Sequence, residues 1–465
     1  MMTIQSAFMV PHPPLIVPEV GRGQEQGILK TIGGYRRAAE LLAARKPETI
    51  VIFTPHSLMY ADYFHISPGA GAQGSFAEFR APDVKFEVHY DVEFVSELCR
   101  LADSKGLPAG TSGERDKKLD HGTMVPLYFI KEAFGGEIPA RIVRIGLSGL
   151  PYTDHYRLGM LIRETAERLK RSIAIVASGD LSHRLKEDGP YGFSPEGPQY
   201  DQRIMDVMGR GAFNELFLFD PDFCESAGEC GHRSFAILAG CLDGLKLQAQ
   251  ALSYEGPFGV GYGVCSYIPE GEDTSRHFLS SYLSQQKERL EALKQAEDDY
   301  VRLARAAVEG YILRGEAVRV PSGLPDEMMS NQAGAFVSLK KHGQLRGCIG
   351  TISATTRSIA DEIIQNAISA CSQDPRFEPV TRGELDELEY SVDILGKAED
   401  IASPEALDVK RYGVIVSRGH RRGLLLPNLE GINTVAEQLS IAKRKAGIRE
   451  GEPVTLQRFE VVRHR

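Results

Sequence analysis

Three short, unbroken apolar runs each give way to a histidine. AFMVPHPP reaches His12, TIVIFTPHS reaches His56 and SIAIVASGDLSH reaches His183. A run with no polar alternation suits a strand covered on both faces, and such strands belong to parallel sheets flanked by helices. In open α/β sheets, ligands collect just past the strand C-termini. Imidazoles converging at that edge point to a metal ion, to general base chemistry, or to both.

The segments between the runs support this reading. Residues 26–46, 92–105 and 155–170 carry helical spacing, and ETIVIFTP, RIVRIGLS and SIAIVASG read as buried strands. This alternation predicts an α/β first domain with a mostly parallel sheet. Residues 67–75 and 186–199 read as Gly/Pro-rich loops, and the second, directly after His183, is placed to lie over a site. Residues 282–313 are charged, helical and free of proline. With 465 residues, two or three domains are expected. The boundaries are set at 1–275 for the first domain, 276–296 for a linker helix and 297–465 for a smaller α+β domain, which has its own strands (AGAFVSLKK, EYSVDIL, GVIVSR) and helices.

A formal net charge of -9 argues against non-specific nucleic-acid binding. No apolar stretch is long enough to span a bilayer, so no membrane partner is expected. The seven cysteines form no CxxC pair and no export signal precedes them, which places reduced thiols in a cytoplasm. The composition leaves a homo-oligomer open.

Two histidines and a carboxylate on one face of an ion make a non-haem Fe(II) site with open positions for substrate and dioxygen. His12 and His56, each stiffened by an adjacent proline, suit the imidazole roles. The third ligand has three candidates: Glu229 and Cys230 in SAGECGHRS, and Glu255 in SYEGPFGVGYG. Either glutamate has a plainer alternative use as a helix cap or a solvated group. His183 and His121 are candidates for proton transfer, with Asp180 and Asp120 close in sequence as carboxylates that would orient their rings.

In this order, PHPPL, TPHS, DHG-x-x-x-PL and SGDLSH resemble the class III extradiol ring-cleavage dioxygenases of the LigB type over roughly residues 5–270. The resemblance implies an α/β fold, a mononuclear Fe(II) site (another divalent metal being possible) and a catechol-like substrate cleaved with O2. It makes His12 and His56 ligands, His183 the acid/base with Asp180 beside it, and His121 a second active-site histidine. It favours Glu229 over Glu255 as the third ligand. The related Memo family, similar at Cys230–Gly231, uses a cysteine there, which keeps Cys230 in play.

In the second domain, LRGCIGT (345–351), DPRF (374–377) and RRGLLLP (421–427) resemble the AMMECR family over about residues 297–465. On residue chemistry alone, Cys348 reads as a structural cysteine. The resemblance instead implies a candidate site at Arg346, Gly347, Cys348 and Gly350. AMMECR and Memo-like proteins tend to accompany radical SAM proteins, so the resemblance also implies a radical SAM partner.

Overall fold

The computed structural model describes residues 2–113, 118–429 and 431–465. The chain forms two units, Met1–Leu283 and Ser284–Arg465. The first is built on a six-stranded sheet of β1 (Ile4–Val10), β2 (Thr49–Thr54), β3 (Arg141–Gly146), β4 (Ile173–Ser178), β5 (Leu245–Glu255) and β6 (Tyr262–Glu272), in the order β3-β2-β4-β1-β6-β5. The first four strands of that order are parallel; β6 and β5 close the edge antiparallel.

The apolar runs have no polar alternation because both faces are covered. Val51, Phe53, Ile175 and Ala177 enter one core with α3 (Tyr152–Leu169), α4 (Glu196–Arg210) and α5 (His232–Cys241). Their neighbours Ile50, Ile52, Ala174 and Val176 enter a second core with α1 (Leu29–Arg45) and α2 (His121–Ala133). Each fully buried large apolar side chain stabilises the unit by roughly 1.5–3 kcal/mol. A strand wrapped in this way can present functional polar groups only at its ends, and the ends of β1, β4 and β2 lie side by side.

Two expectations about local structure change. The 67–75 segment is not simply a loop: Gly71–Phe76 pairs antiparallel with Ala81–His89. A Cβ on Gly74 would lie 2.7 Å from the Leu119 side chain, so that glycine serves close packing. The 282–313 helix is two helices, α6 (Phe278–Ala296) and α7 (Asp299–Arg314), because the Asp298 carboxylate caps the N–H groups of Tyr300 and Val301.

The second unit has two antiparallel sheets. One combines β7 (Ala335–Lys341), β8 (Gln344–Gly350), β9 (Leu388–Leu395) and, later in the chain, the last strand, Val461–His464; the other combines Glu399–Ile401, Gly413–Arg418, Arg421–Leu425 and Thr455–Phe459. α7 and α8 (Ile359–Ser372) share a core with the first sheet through Val337, Leu339, Ile363 and Val392. The helix α9 (Val435–Lys445) packs on the second through Ala442, Val414 and Val416. Asp298 also accepts a hydrogen bond from His464 Nδ1, and Tyr300 stacks on the same ring at 3.8 Å between centroids, which ties the last strand to the start of α7. Among the described residues, no helix is long and apolar enough to cross a membrane.

Candidate metal centre

His12 lies two residues beyond β1 and His56 two residues beyond β2, with β4 between those strands. Their Nε2 atoms are 2.9 Å apart, and Cys230 Sγ lies 3.6 Å from His12 Nε2. Among the described residues, His12, His56 and Cys230 form a group whose ligand atoms all lie within 4.8 Å of one another. Imidazole nitrogens about 2.0–2.1 Å and a thiolate about 2.3 Å from one ion, at bond angles of about 90–115°, stand about 2.9–3.5 Å (N to N) and about 3.1–3.7 Å (N to S) apart. Both observed distances fall within these ranges, so His12 is spaced from His56 and from Cys230 as two ligands of one ion would be.

The tautomer of His12 follows from its neighbours. Ser178 Oγ donates to the Gly122 carbonyl at 2.6 Å, so towards His12 Nδ1, 2.9 Å away, it accepts. The proton therefore sits on Nδ1, and Nε2 presents its lone pair to the cluster. Burial, followed by the charges of His56, His121 and His183, holds His12 well below the usual histidine range. Burial and the His121 charge take His56 to about 4 against the opposing pull of Asp120. Both rings are thus neutral near pH 7, as ligation requires.

Cys230 reaches the site through a close backbone approach. A Cβ on Gly179 would lie 2.2 Å from Gly231 Cα. With side chains absent at both positions, the segment after β4 and the turn into α5 pass close together. Cys230 N donates to the Asp180 carbonyl at 3.4 Å, and Asp180 N donates to Cys230 Sγ at 3.3 Å. Burial pushes the Cys230 thiol well above its ordinary range.

The two candidate glutamates are engaged elsewhere. Glu229 Oε2 accepts the His232 N–H at 2.6 Å, at the start of α5. Glu255 Oε1 accepts from Thr31 N at 2.7 Å and Thr31 Oγ1 at 2.8 Å, in the first turn of α1. Each satisfies a helix N-terminus, where a carboxylate is favoured. Of the three candidates for the third ligand, Cys230 is the one whose side chain stands beside the two imidazoles.

His183 Nδ1 lies 2.5 Å from the Gly228 carbonyl, which can only accept, so its proton is fixed there and Nε2 is left basic. Asp180 Oδ2 is 4.0 Å from that Nε2, while Asp180 Oδ1 accepts the His12 N–H at 2.7 Å. Asp180 therefore anchors the His12 backbone, and a carbonyl, not this carboxylate, sets the His183 tautomer. Burial raises Asp180 to about 7. The His121 ring is 4.0 Å from His56 and 5.5 Å from Phe79 between centroids. Asp120 does not orient His121; it accepts from Thr54 Oγ1 at 2.5 Å and Thr123 N at 3.0 Å, and pairs with Arg144.

Sequence reasoning missed Ser178, the Thr54–Asp120 bond that seats the residues before His56, and Tyr191, whose ring meets His183 edge-on at 5.1 Å. Tyr191 belongs to the Gly/Pro-rich segment after His183, and that position was its one visible signal.

In the second unit, Arg346 donates to both carboxylate oxygens of Glu384, at 2.9 and 3.1 Å. A Cβ on Gly347 would stand 2.2 Å from the Ala370 carbonyl oxygen, and one on Gly350 2.2 Å from the Phe336 ring. These three residues hold β8 in place, while Cys348 is half-buried and not consumed by packing.

Comparisons with known proteins agree with this division. The family described as the catalytic LigB subunit of aromatic ring-opening dioxygenase matches residues 6–265, and the AMMECR1 family matches residues 301–464. A protein of Clostridium acetobutylicum is 44% identical over 472 residues, covering all of both chains. One from Thermotoga maritima is 48% identical over 171 residues, covering 36% of this chain and 98% of its own. The crystal structure of an uncharacterized Pyrococcus horikoshii protein aligns with 35% of this chain and 88% of its own at 32% identity and a TM-score of 0.34. On the two family matches the chain belongs to the LigB family of the aromatic ring-opening dioxygenases and joins that domain to an AMMECR1 domain in one polypeptide.

Proposed function

We propose that the first unit is a metal-dependent dioxygenase acting on a catecholic or related small molecule, with Fe(II) held by His12, His56 and Cys230. The observation that carries this reading is the convergence of three donor atoms next to His183, whose Nε2 is kept free of its proton by the Gly228 carbonyl. Bound Fe(II) would supply a Lewis-acid and redox centre able to bring a diol and O2 together. His183 Nε2 takes a phenolic proton and later returns it; burial holds its pKa below the usual histidine range, which keeps the resting ring neutral and able to accept. Asp180, 4.0 Å away, favours the imidazolium formed in that step when it is ionised, and with its carboxyl raised to about 7 this help grows as pH rises through that value. A cavity of about 1390 Å³ opens on the His56 and His121 side, and Phe79, Phe86 and Met124 line it with surface suited to an aromatic ring.

The thiol in place of a carboxylate favours a second reading. Thiolate with imidazole also suits Zn(II) and other soft divalent ions. A metal-loaded subunit without ring cleavage, working with a radical SAM partner in a modification system, would need only the ligands.

Anaerobic purification with Fe(II), metal analysis and oxygen uptake across a panel of catechols separate the two. The first reading expects about one iron per chain and O2 uptake, with turnover lost and metal kept in His183→Ala. Metal-loaded protein that leaves O2 unconsumed with every diol establishes the second reading. Loss of metal from His183→Ala would refute the role given to that residue.

A further inference from the structure

Two aromatic side chains reach the metal centre from separate loops, and each meets a histidine outside the ligand trio. The Phe79 ring stands edge-on to His121, at 5.5 Å between centroids and an interplanar angle of 72°. The Tyr191 ring stands edge-on to His183, at 5.1 Å and 86°. His121 is itself 4.0 Å from His56 and 5.5 Å from His12 between ring centroids. His183 is joined to the centre through Asp180, which accepts the His12 N–H at 2.7 Å and lies 4.0 Å from His183 Nε2.

Both rings sit on loops that are tied down. Phe79 ends a short turn, Ala77–Phe79, between the paired strands Gly71–Phe76 and Ala81–His89. Arg80 follows it with a left-handed φ of 63° and an N–H that donates to the Ala77 carbonyl at 3.0 Å, and the Arg80 carbonyl accepts from Arg22 Nη2 at 2.9 Å. The Tyr191 loop is clamped at its base. Leu185 bridges Phe193, Ser194 N donates to the Arg184 carbonyl at 3.1 Å and Leu185 N donates to the Gly259 carbonyl at 3.1 Å. Lys186 Nζ adds a bond to the Pro257 carbonyl at 2.7 Å. Side chains ordered before a ligand arrives lose little freedom when it binds.

Core packing does not account for these two rings. Phe79 is half-buried and lines the cavity with His56 and His121, and Tyr191 is 63% exposed. One exposed aromatic is ordinary. Two on different loops, each set against a different non-ligand histidine of one metal centre, form a pattern. In an edge-on pair neither ring covers both faces of the other, so a ring face stays open for stacking. A flat ring held at the metal can use those faces, and a chelator with no ring gains nothing from them.

We propose that Phe79 and Tyr191 are specificity-determining residues that select metal ligands bearing a planar aromatic ring. This role rests on the reading of the first unit as a site for a diol ring, but not on ring cleavage.

Benzohydroxamate and acetohydroxamate carry the same metal-binding group, one with an aromatic ring and one without. Calorimetry on the full-length protein, loaded with the ion found by metal analysis, reads the affinity of each. Benzohydroxamate is expected to bind about tenfold more tightly. Phe79→Leu and Tyr191→Leu are each expected to cut that ratio by roughly threefold or more, leaving acetohydroxamate affinity and the unfolding transition in place, while Tyr191→Phe keeps the ratio. An unchanged ratio in either leucine variant overturns the pair. So does a parallel loss of both probes, which marks a structural role, and so does a metal-loaded protein that binds neither probe. A ring preference without O2 uptake on any catechol keeps this assignment and removes the dioxygenase; O2 uptake with no ring preference does the reverse.

Discussion

Each unit carries a cysteine set among glycines, AGECG in the first and LRGCIG in the second, and the two use the same packing device for different ends. Around Cys230, the bare Gly179 and Gly231 let two backbone segments close together and bring the thiol to two neutral imidazoles. Around Cys348, Gly347 lets β8 lie against the Ala370 carbonyl, and the thiol meets the Ser338 hydroxyl while Arg376 holds the Cys348 carbonyl. The glycines in both motifs are explained by backbone proximity. The chemistry is decided by what stands on the neighbouring element: strand-end histidines in a parallel sheet, or a cross-strand serine and the Asp374–Arg376 pair in an antiparallel one.

The sharpest break of this comparison is ligand removal. His12→Ala or Cys230→Ala is expected to weaken metal binding by more than the 10–100-fold typical of lost outer-shell partners, leaving almost none after dialysis, while Cys348→Ala keeps full occupancy in metal analysis. Metal loss from Cys348→Ala would erase the distinction. Next come the glycines. Gly179→Ala and Gly347→Ala each force a Cβ to about 2.2 Å from backbone, and each is expected to cost ~2–3 kcal/mol in urea unfolding. Only Gly179→Ala should also lower metal affinity, because only that contact positions a ligand.

Ser178→Ala leaves the His12 proton without its acceptor. Metal titration is expected to show a roughly tenfold or greater loss of affinity. The smallest effect is a pH dependence confined to the second unit. Burial opposes the charged form of Glu384, but the Arg346 guanidinium and the Thr381 N–H outweigh it and hold the carboxyl at about 2 against an ordinary 4.5. A depressed folded value means this contribution is complete above about pH 4.5 and is lost as pH falls through about 2. Unfolding followed between pH 6 and pH 2.5 should show the second unit weakening, with a shallower decline in Arg346→Ala.

The parallel strands were legible because burial on both faces leaves an apolar run with no alternation, and the histidines because they end those runs. The hairpin Gly71–Phe76 with Ala81–His89 was not, since its glycines answer to Leu119 and Val88 and not to a local turn. The antiparallel strands β5 and β6 were less legible, because neither is an apolar run that ends on a histidine. The choice between Glu229 and Cys230 was opaque for a simple reason: they are adjacent on a turn, and one turns to the start of α5 while the other turns to His12. The spacing of Glu229 three residues before His232 was the cap signal available. Ser178 offers no sequence signal at all, because its role depends on a carbonyl 56 residues away.

The contact between Asp298 and His464 has a consequence for how this polypeptide was assembled. It fastens the start of α7 to the last strand, so the two ends of the AMMECR1-matched segment, residues 301–464, lie side by side. A module closed in that way is portable: it attaches to another protein through one short junction, and rejoining its ends through a brief loop while opening a surface turn elsewhere should yield a circular permutant that still folds.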